Sequence, residues 1–502
     1  MMDYFDNHLL SPAERDYFSY YLNNEKFTNG PAIRNNYGHG TTPSYSEESH
    51  KENYFQLVLF VLLLLKKIRR PRYEEVFGET WIRIIMEKRM RVLWFEISVP
   101  ARYKESGIVT GGWQDSLERI VRTCPEIELS ISFKGEKDSV TKEVDGVKYI
   151  PLHLNYTIID RIKNKFSWDI ETRYLIYEMQ KVVDNVKPDI IHVFGVEWPY
   201  GHIAKFTNIP VVVHILGSLV PYMNALYPPF FSYKDICKTR KFLNLKQNLK
   251  SFLDHLREKT WEKQEREVWK CVKYYMGRTE WDKALSNVMH PGRTYYHVDE
   301  ALRPSFLLRK DKWHGLNNNK LCLISTGCST FWKGPDMLLK VARILTELRI
   351  NFEWKVAGSM PYSIKKAVEM KLKTTFDENH IVFLGFTKPE RLTEILCEST
   401  IYVHTAYIEN SPNAICEAQC LGVPIVSTNV GGIATLVQDK RQGVLVPAND
   451  PWQMANAIIE LANDKNRMIQ YSDNSIERAL KRHNDSKIKE DLLSCYRSIL
   501  QL

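Results

Sequence analysis

Short runs of Val, Ile and Leu recur along the chain, separated by stretches of helical period. DIIHVFG (189–195) and PVVVHILGS (210–218) show no alternation of polar and apolar residues, so both faces of such a strand must be covered. Helical patterns lie between the runs, at 170–187, 199–206 and 335–348. That order predicts a parallel sheet with helices on both faces, an α/β chain. The alternation stops at LRPSFLLRKDKWHGLNNN (302–319), which reads as a polar linker, and then starts again at LCLIST (321–326). Further strands are predicted at 90–99, 274–277, 353–357, 381–384, 400–403 and 423–427, with helices at 452–463, 466–482 and 486–500. The reading is two Rossmann-like halves facing across a cleft, with ligands at the carboxyl ends of the strands.

Residues 1–85 differ. Segment 27–53 is rich in Gly, Pro, Ser, Asn, Glu and His and lacks periodicity. The apolar run FQLVLFVLLLL (55–65) precedes Lys66, Lys67, Arg69, Arg70 and Arg72. Eleven helical residues span roughly 16 Å, short of a hydrocarbon core of about 30 Å, so the run reads as an interfacial or a buried helix. The extension is either an appended membrane anchor or a start placed upstream of Met86 or Met90. A net charge of +9 over 502 residues tilts toward phosphates or an anionic surface but is too dilute for nucleic acid. Nine scattered cysteines without C-x-x-C or zinc spacing read as free thiols. KTRKFLNLKQNLKSFLDHL (238–256) has apolar residues at helical spacing among lysines, read as a core-facing helix or a binder of anionic lipid.

The stretch ENSPNAICEAQCLG (409–422) raises the functional question. Ser411 reads as an N-cap and Pro412 as the first helical residue, with Gly422 past the end. The first amides, at Asn413 and Ala414, with the helix dipole form an anion site suited to a diphosphate. Glu409 stands ahead of that site and Glu417 inside the helix. Two carboxylates cannot both bind phosphate. They can accept hydroxyls on either side of it, the layout of a sugar nucleotide.

Followed by AQCLGVPIVSTNVGG (418–432) and GVLVPANDPWQMANAI (443–458), this E-x7-E pattern resembles the retaining GT-B glycosyltransferases of family 4, over roughly residues 90–500. The resemblance implies a GT-B architecture of two Rossmann-like domains, with a C-terminal helix packing back toward the first. The boundaries are then an extension at 1–85, an acceptor domain at 86–305, a donor domain at 306–482 and a terminal helix at 483–502. It implies catalytic positions at His214, Lys333 and Glu409. It implies donor binding by Gly111, Gly112, Asn410, Ser411, Asn413, Ala414 and Glu417, with Glu409 on the sugar, Glu417 on the ribose and Lys333 on the diphosphate. The family's arginine a few residues before that lysine is absent; Gly327 and Cys328 stand there.

No metal is expected, since the chain contains no D-x-D, and no cofactor beyond the nucleotide-diphosphate sugar itself. The implied activity is sugar transfer to a saccharide or lipid-linked acceptor in bacterial surface polysaccharide assembly. The implied place is the cytoplasm or, by peripheral contact with anionic lipid, the inner face of the plasma membrane. Other readings are an epimerase or phosphorylase, or a non-catalytic nucleotide-sugar-binding partner of another transferase. Trp198 and Tyr200, in GVEWPYG (195–201), suit an acceptor sugar or ordinary packing. Arg278, Glu280 and Asp282 lie next to the site, with a salt-bridged loop as the plain reading.

Overall fold

Two parallel sheets dominate the structure, a computed structural model that describes residues 89–104, 112–239, 245–317 and 320–502. The extension, its segment 55–72 and Gly111 lie outside the described residues.

The first sheet runs in the order β3-β4-β2-β1-β5-β6-β7-β8. Its strands are β1 (Met90–Glu96), β2 (Ile127–Lys134), β3 (Lys142–Val144), β4 (Val147–Leu152), β5 (Ile190–Phe194), β6 (Val211–His214), β7 (Tyr274–Gly277) and β8 (Thr294–His297). All pairs are parallel except the β3–β4 hairpin. The second sheet holds β9 (Leu321–Thr326), β10 (Phe352–Ala357), β11 (Ile381–Gly385), β12 (Ile401–His404), β13 (Ile425–Thr428) and β14 (Gly443–Val446). Its order is β11-β10-β9-β12-β13-β14, parallel throughout. This is the doubly wound 3-2-1-4-5-6 order, and its direction reverses between β9 and β12. The first sheet reverses in the same way between β1 and β5.

The sequence pattern missed β2, β3, β4, β8 and β14. β2 carries Glu128, Ser130 and Ser132 among its apolar residues and so lacks a continuous run. β3 is three residues long. Residues 199–205 form a 3-10 helix. The helix expected at 238–256 is two: one ends at Lys238, and another runs from Leu245 to Cys271. On the latter, Leu249 and Phe252 are 60% and 49% exposed, so these two apolar positions face water. The polar stretch at 302–319 is not a loose tether. Leu302 and Phe306 are buried with the second sheet's apolar cluster, and the Trp313 amide bonds the Leu421 carbonyl at 2.8 Å.

The helix Asp485–Leu500 belongs to the first sheet's core. Ile488, Leu492, Leu493, Tyr496 and Ile499 pack with Trp94, Trp113 and Leu117, each burial contributing roughly 1.5–3 kcal/mol. The Tyr496 hydroxyl accepts from Trp94 Nε1 at 3.1 Å and meets His192 Nδ1 at 2.6 Å. The chain therefore passes between the two halves twice, after β8 and before this helix. The passages are bonded to each other. Arg482 pairs with Asp299 at 2.8 Å and Glu300 at 3.1 Å, and His483 Nδ1 lies 2.9 Å from the Glu300 carbonyl.

Candidate active site

The crevice at the β9–β12 reversal gathers most of the residues singled out above. After β9 the chain turns at Phe331–Lys333 and enters the helix Pro335–Glu347 through Gly334. Gly334 has φ +72°, and a Cβ there would lie 2.0 Å from the Thr405 carbonyl oxygen, so only glycine lets the turn lie on the end of β12. The Tyr407 amide then bonds the Trp332 carbonyl at 2.7 Å. This presses Lys333 onto Glu409, and their charged atoms pair directly. His404, which ends β12, places Nε2 3.4 Å from the same carboxylate. Burial alone raises the Glu409 acid, but Lys333 and His404 outweigh it and hold it down at about 2. Glu409 is therefore an anion clamped by a lysine at a strand's carboxyl end.

The helix begins at Asn413, one residue later than predicted, and Pro412 rather than Ser411 occupies the cap position. A proline cap has no hydroxyl, so no side chain takes the first-turn amides, and those of Asn413 and Ala414 lack intrahelical acceptors. Ser411 turns instead to Glu300, donating its hydroxyl at 2.9 Å. The Cys416 thiol and Arg482 share that carboxylate at 3.2 and 3.1 Å. Burial raises the Glu300 acid, and Arg482 and His483 pull it well below its usual range. Glu300, Cys416 and His483 converge as metal ligands could, but the Arg482 guanidinium already supplies the cation. Behind Glu409, Gly431 has φ +53°, and a Cβ there would fall 1.8 Å from the Glu409 carbonyl oxygen. The Gly432 amide donates to that oxygen at 3.0 Å.

Glu417 is buried and receives Arg303 through Nε at 3.0 Å and a terminal nitrogen at 2.5 Å, both on Oε1. Burial raises its acid, and Arg303 opposes. Arg303 and His404 escaped the sequence reading. Arg303 lies 114 positions from its partner, in a segment read as linker. His404 ends a strand just as His214 does, and that position was its only signal.

The first sheet contributes Gly112, His214 and the turn after β6. Gly112 faces the start of the 413–421 helix, where a Cβ would sit 3.7 Å from Asn413 Nδ2. Asn410 Nδ2 donates to the Leu216 carbonyl at 3.0 Å, and the Thr279 hydroxyl donates to Asn410 Oδ1 at 2.9 Å, so the loop ahead of the 413–421 helix is tied to the turn beyond His214. His214 is fully buried, edge-on to Trp113 at 4.7 Å and stacked on His192 at 5.5 Å. Neither ring nitrogen has a hydrogen-bond partner among the described residues. Burial, with His192 and Arg278 nearby, pushes its pKa well below the usual range, so it is neutral. His192 is the packed strand residue that its sequence position suggests.

Arg278 is buried over the Trp113 ring at 4.8 Å and donates to the Leu216 carbonyl at 3.0 Å. Asp282 caps its own helix with Thr279, while Glu280 is exposed. Trp198 packs against Trp168 and Trp261 at 5.5 and 5.3 Å, and Tyr200 is buried in the first sheet's core. For these two aromatics, packing is what the structure places. Cys328, standing where the expected arginine is missing, is buried, and Gly327 turns at φ +71°.

Residues 309–478 match the family described as Glycosyl transferases group 1. A D-inositol 3-phosphate glycosyltransferase of Paenarthrobacter aurescens is 26% identical over 191 residues, 35% of this chain and 46% of that protein. D-inositol 3-phosphate glycosyltransferase 2 of Catenulispora acidiphila is 35% identical over 173 residues, 33% and 40% of the two chains. The chain thus spans less than half the length of these curated relatives. Among solved structures, a sucrose-phosphate synthase from Thermosynechococcus elongatus superposes with TM-score 0.62 at 14% identity, covering 82% of this chain and 100% of that one. HepE of Anabaena, in complex with UDP-glucose, gives 0.55 at 14% identity with the same coverage. Residues 309–478 are thus similar to glycosyl transferases of group 1, within a GT-B fold of two parallel-sheet halves.

Proposed function

We propose that this protein transfers a sugar from a nucleotide-diphosphate sugar to a hydroxyl acceptor, with retention of configuration and without a metal or further cofactor. The observation that carries the reading is the Lys333–Glu409–His404 group at the topological switch point, beside an uncapped helix N-terminus. The diphosphate lies on the first-turn amides of Asn413 and Ala414, flanked by Asn410 and Ser411. Lys333 neutralises the charge that grows on the leaving group as the glycosyl bond breaks. Glu409 takes sugar hydroxyls. Glu417, held by Arg303 through Oε1 alone, keeps Oε2 for the ribose.

Gly112 lets the backbone approach the reacting sugar, as Gly111 does in the same reading. Neutral His214 offers one ring N–H and one lone pair to it. No carboxylate is needed as nucleophile. The acceptor hydroxyl attacks on the face the nucleotide leaves, and a diphosphate oxygen takes its proton.

The acceptor is a saccharide or lipid-linked saccharide, with a role in surface polysaccharide assembly at the cytoplasmic side of a membrane. The net charge of +9 and the exposed Leu249 and Phe252 support a peripheral contact with anionic lipid. No helix among the described residues is long and apolar enough to cross a membrane. The curated relatives' names add a phosphorylated inositol to the acceptors worth testing. Gly327 and Cys328, in place of a second cation, favour one other reading, a nucleotide-sugar-binding subunit without turnover.

The test is thermal stability against UDP-, GDP- and ADP-sugars, for wild type and Glu417→Ala, together with nucleotide release. A ligand at a hundredfold excess over its Kd stabilises the folded state by about 2.7 kcal/mol. One donor should stabilise the wild type, lose its effect in the variant, and be consumed. Binding without release supports the subunit reading. No binding of any nucleotide sugar removes both.

A further inference from the structure

Glu197 follows β5 at its carboxyl end, beside the turn that leaves His214. Its Oε2 is buried and has no hydrogen-bond partner among the described residues. A buried carboxylate oxygen with a purely structural role is normally bonded. Its neighbour Glu265 is such a case: it takes the Ser218 hydroxyl, the Leu219 amide and Trp269 Nε1. The Glu197 side chain lies against Gly195, where a Cβ would come within 3.0 Å of Oε2.

Tyr222 follows the neighbouring strand β6, on the short helix Leu219–Asn224. A Cβ at Gly217 would lie 3.6 Å from its ring and its hydroxyl. Tyr222 also meets Trp332, next to Lys333, at 6.1 Å. Glu197 thus stands just past the carboxyl end of β5, at the β1–β5 reversal of the first sheet, where a crevice for ligands forms.

We propose that the Glu197 carboxyl is a hydroxyl-binding group on the first-domain wall of the cleft, holding a hydroxyl of the transferred sugar or of the acceptor. The assignment rests on the transferase reading above. Burial, with Glu265 next in effect among the charges that raise it, pushes the acid up to about 8 against the Arg278 charge and the Glu197 and Gly217 amides. Near neutral pH the group is then largely a protonated acid, which donates one hydrogen bond and accepts another. A sugar hydroxyl makes that same pair of bonds. The other carboxyl of the cleft, Glu409, can only accept.

The probes are the nucleotide sugar that stabilises the wild type and the matching nucleotide diphosphate. Glu197→Ala and the isosteric Glu197→Gln are compared with wild type for the thermal shift with each probe and for nucleotide release to water or to added inositol and methyl glycosides. Both variants should keep the shift with the nucleotide diphosphate. If the transferred sugar is the partner, Glu197→Ala loses the extra shift that the sugar adds, and Glu197→Gln keeps part of it. If the acceptor is the partner, both shifts persist and release falls at least tenfold in Glu197→Ala, less in Glu197→Gln. Unchanged shifts with release within twofold of wild type would overturn the proposal. So would loss of the nucleotide-diphosphate shift in Glu197→Gln, because the residue would then be supporting the fold. A wild type that binds no nucleotide sugar removes the transferase reading itself, and this assignment with it.

Discussion

Replacing Glu409 by glutamine tests the electrostatics of the crevice. Glu409 is 4% exposed and is held at about 2 rather than 4.5 because the Lys333 charge and His404 outweigh its burial. The native value lies below the unfolded one. The clamp therefore stabilises the protein fully above about pH 4.5, and its contribution fades as pH falls toward 2. The interval from 4.5 to about 2 amounts to a few kcal/mol at pH 7. The unit Arg89–Leu502 unfolds with an entropy of about 2 cal/mol/K per residue, so each kcal/mol moves its midpoint by about 1 °C, and Glu409→Gln should melt a few degrees lower at pH 7. Scanning calorimetry of both proteins between pH 7 and pH 3 is the assay. The gap should hold constant down to about pH 4.5 and then close by about 1.4 kcal/mol per pH unit. A gap that stays constant down to pH 3 would show that the carboxyl is not clamped as an anion, and the role given to Lys333 would go with it.

Two other substitutions probe the scaffold. Tyr496→Phe keeps the ring but strands Trp94 Nε1 and His192 Nδ1 in the first sheet's core; an unmade buried bond costs about 1–3 kcal/mol, so urea titration should show a loss of that order, and none would mean that water replaces the hydroxyl. Gly334→Ala combines φ +72° with a Cβ 2.0 Å from the Thr405 carbonyl, whereas Gly146→Ala has φ +77° and nothing within 4 Å. Both carry the left-handed penalty of about 1–2 kcal/mol. Only the first should weaken nucleotide-sugar binding, at least tenfold by calorimetric titration; equal affinities would mean the close approach does not position Lys333.

Much of the second half was legible in the residues, because its strands are short, largely apolar runs, with β12 and β13 buried throughout. LCLIST, the 335–347 helix and the 413–421 helix announce themselves by period and by Gly and Pro punctuation. β2 and the β3–β4 hairpin were not legible, since Ser and Glu within the strands hide a sheet whose cover comes from helices far along the chain. Glu409 and Glu417 could be named from spacing, but their partners could not. Arg303 reaches Glu417, and Arg482 reaches Glu300, only because the fold closes loops of 114 and 182 residues. Glu197 stood in plain view in GVEWPYG, overshadowed by two aromatics that prove to be packing.

The two passages between the halves, stitched together by Arg482, Asp299, Glu300 and His483, amount to a single seam. Two independent tethers would leave the halves free to slide and twist. A stitched pair leaves them a swing about one line, as a door turns on its pin. Glu300 sits on that line and also holds Ser411, at the mouth of the anion site. The loop ahead of the anion site is thus fastened to the seam itself, and the 113–121 helix is drawn to the same place, since Arg119 pairs with Asp485 at 2.8 Å.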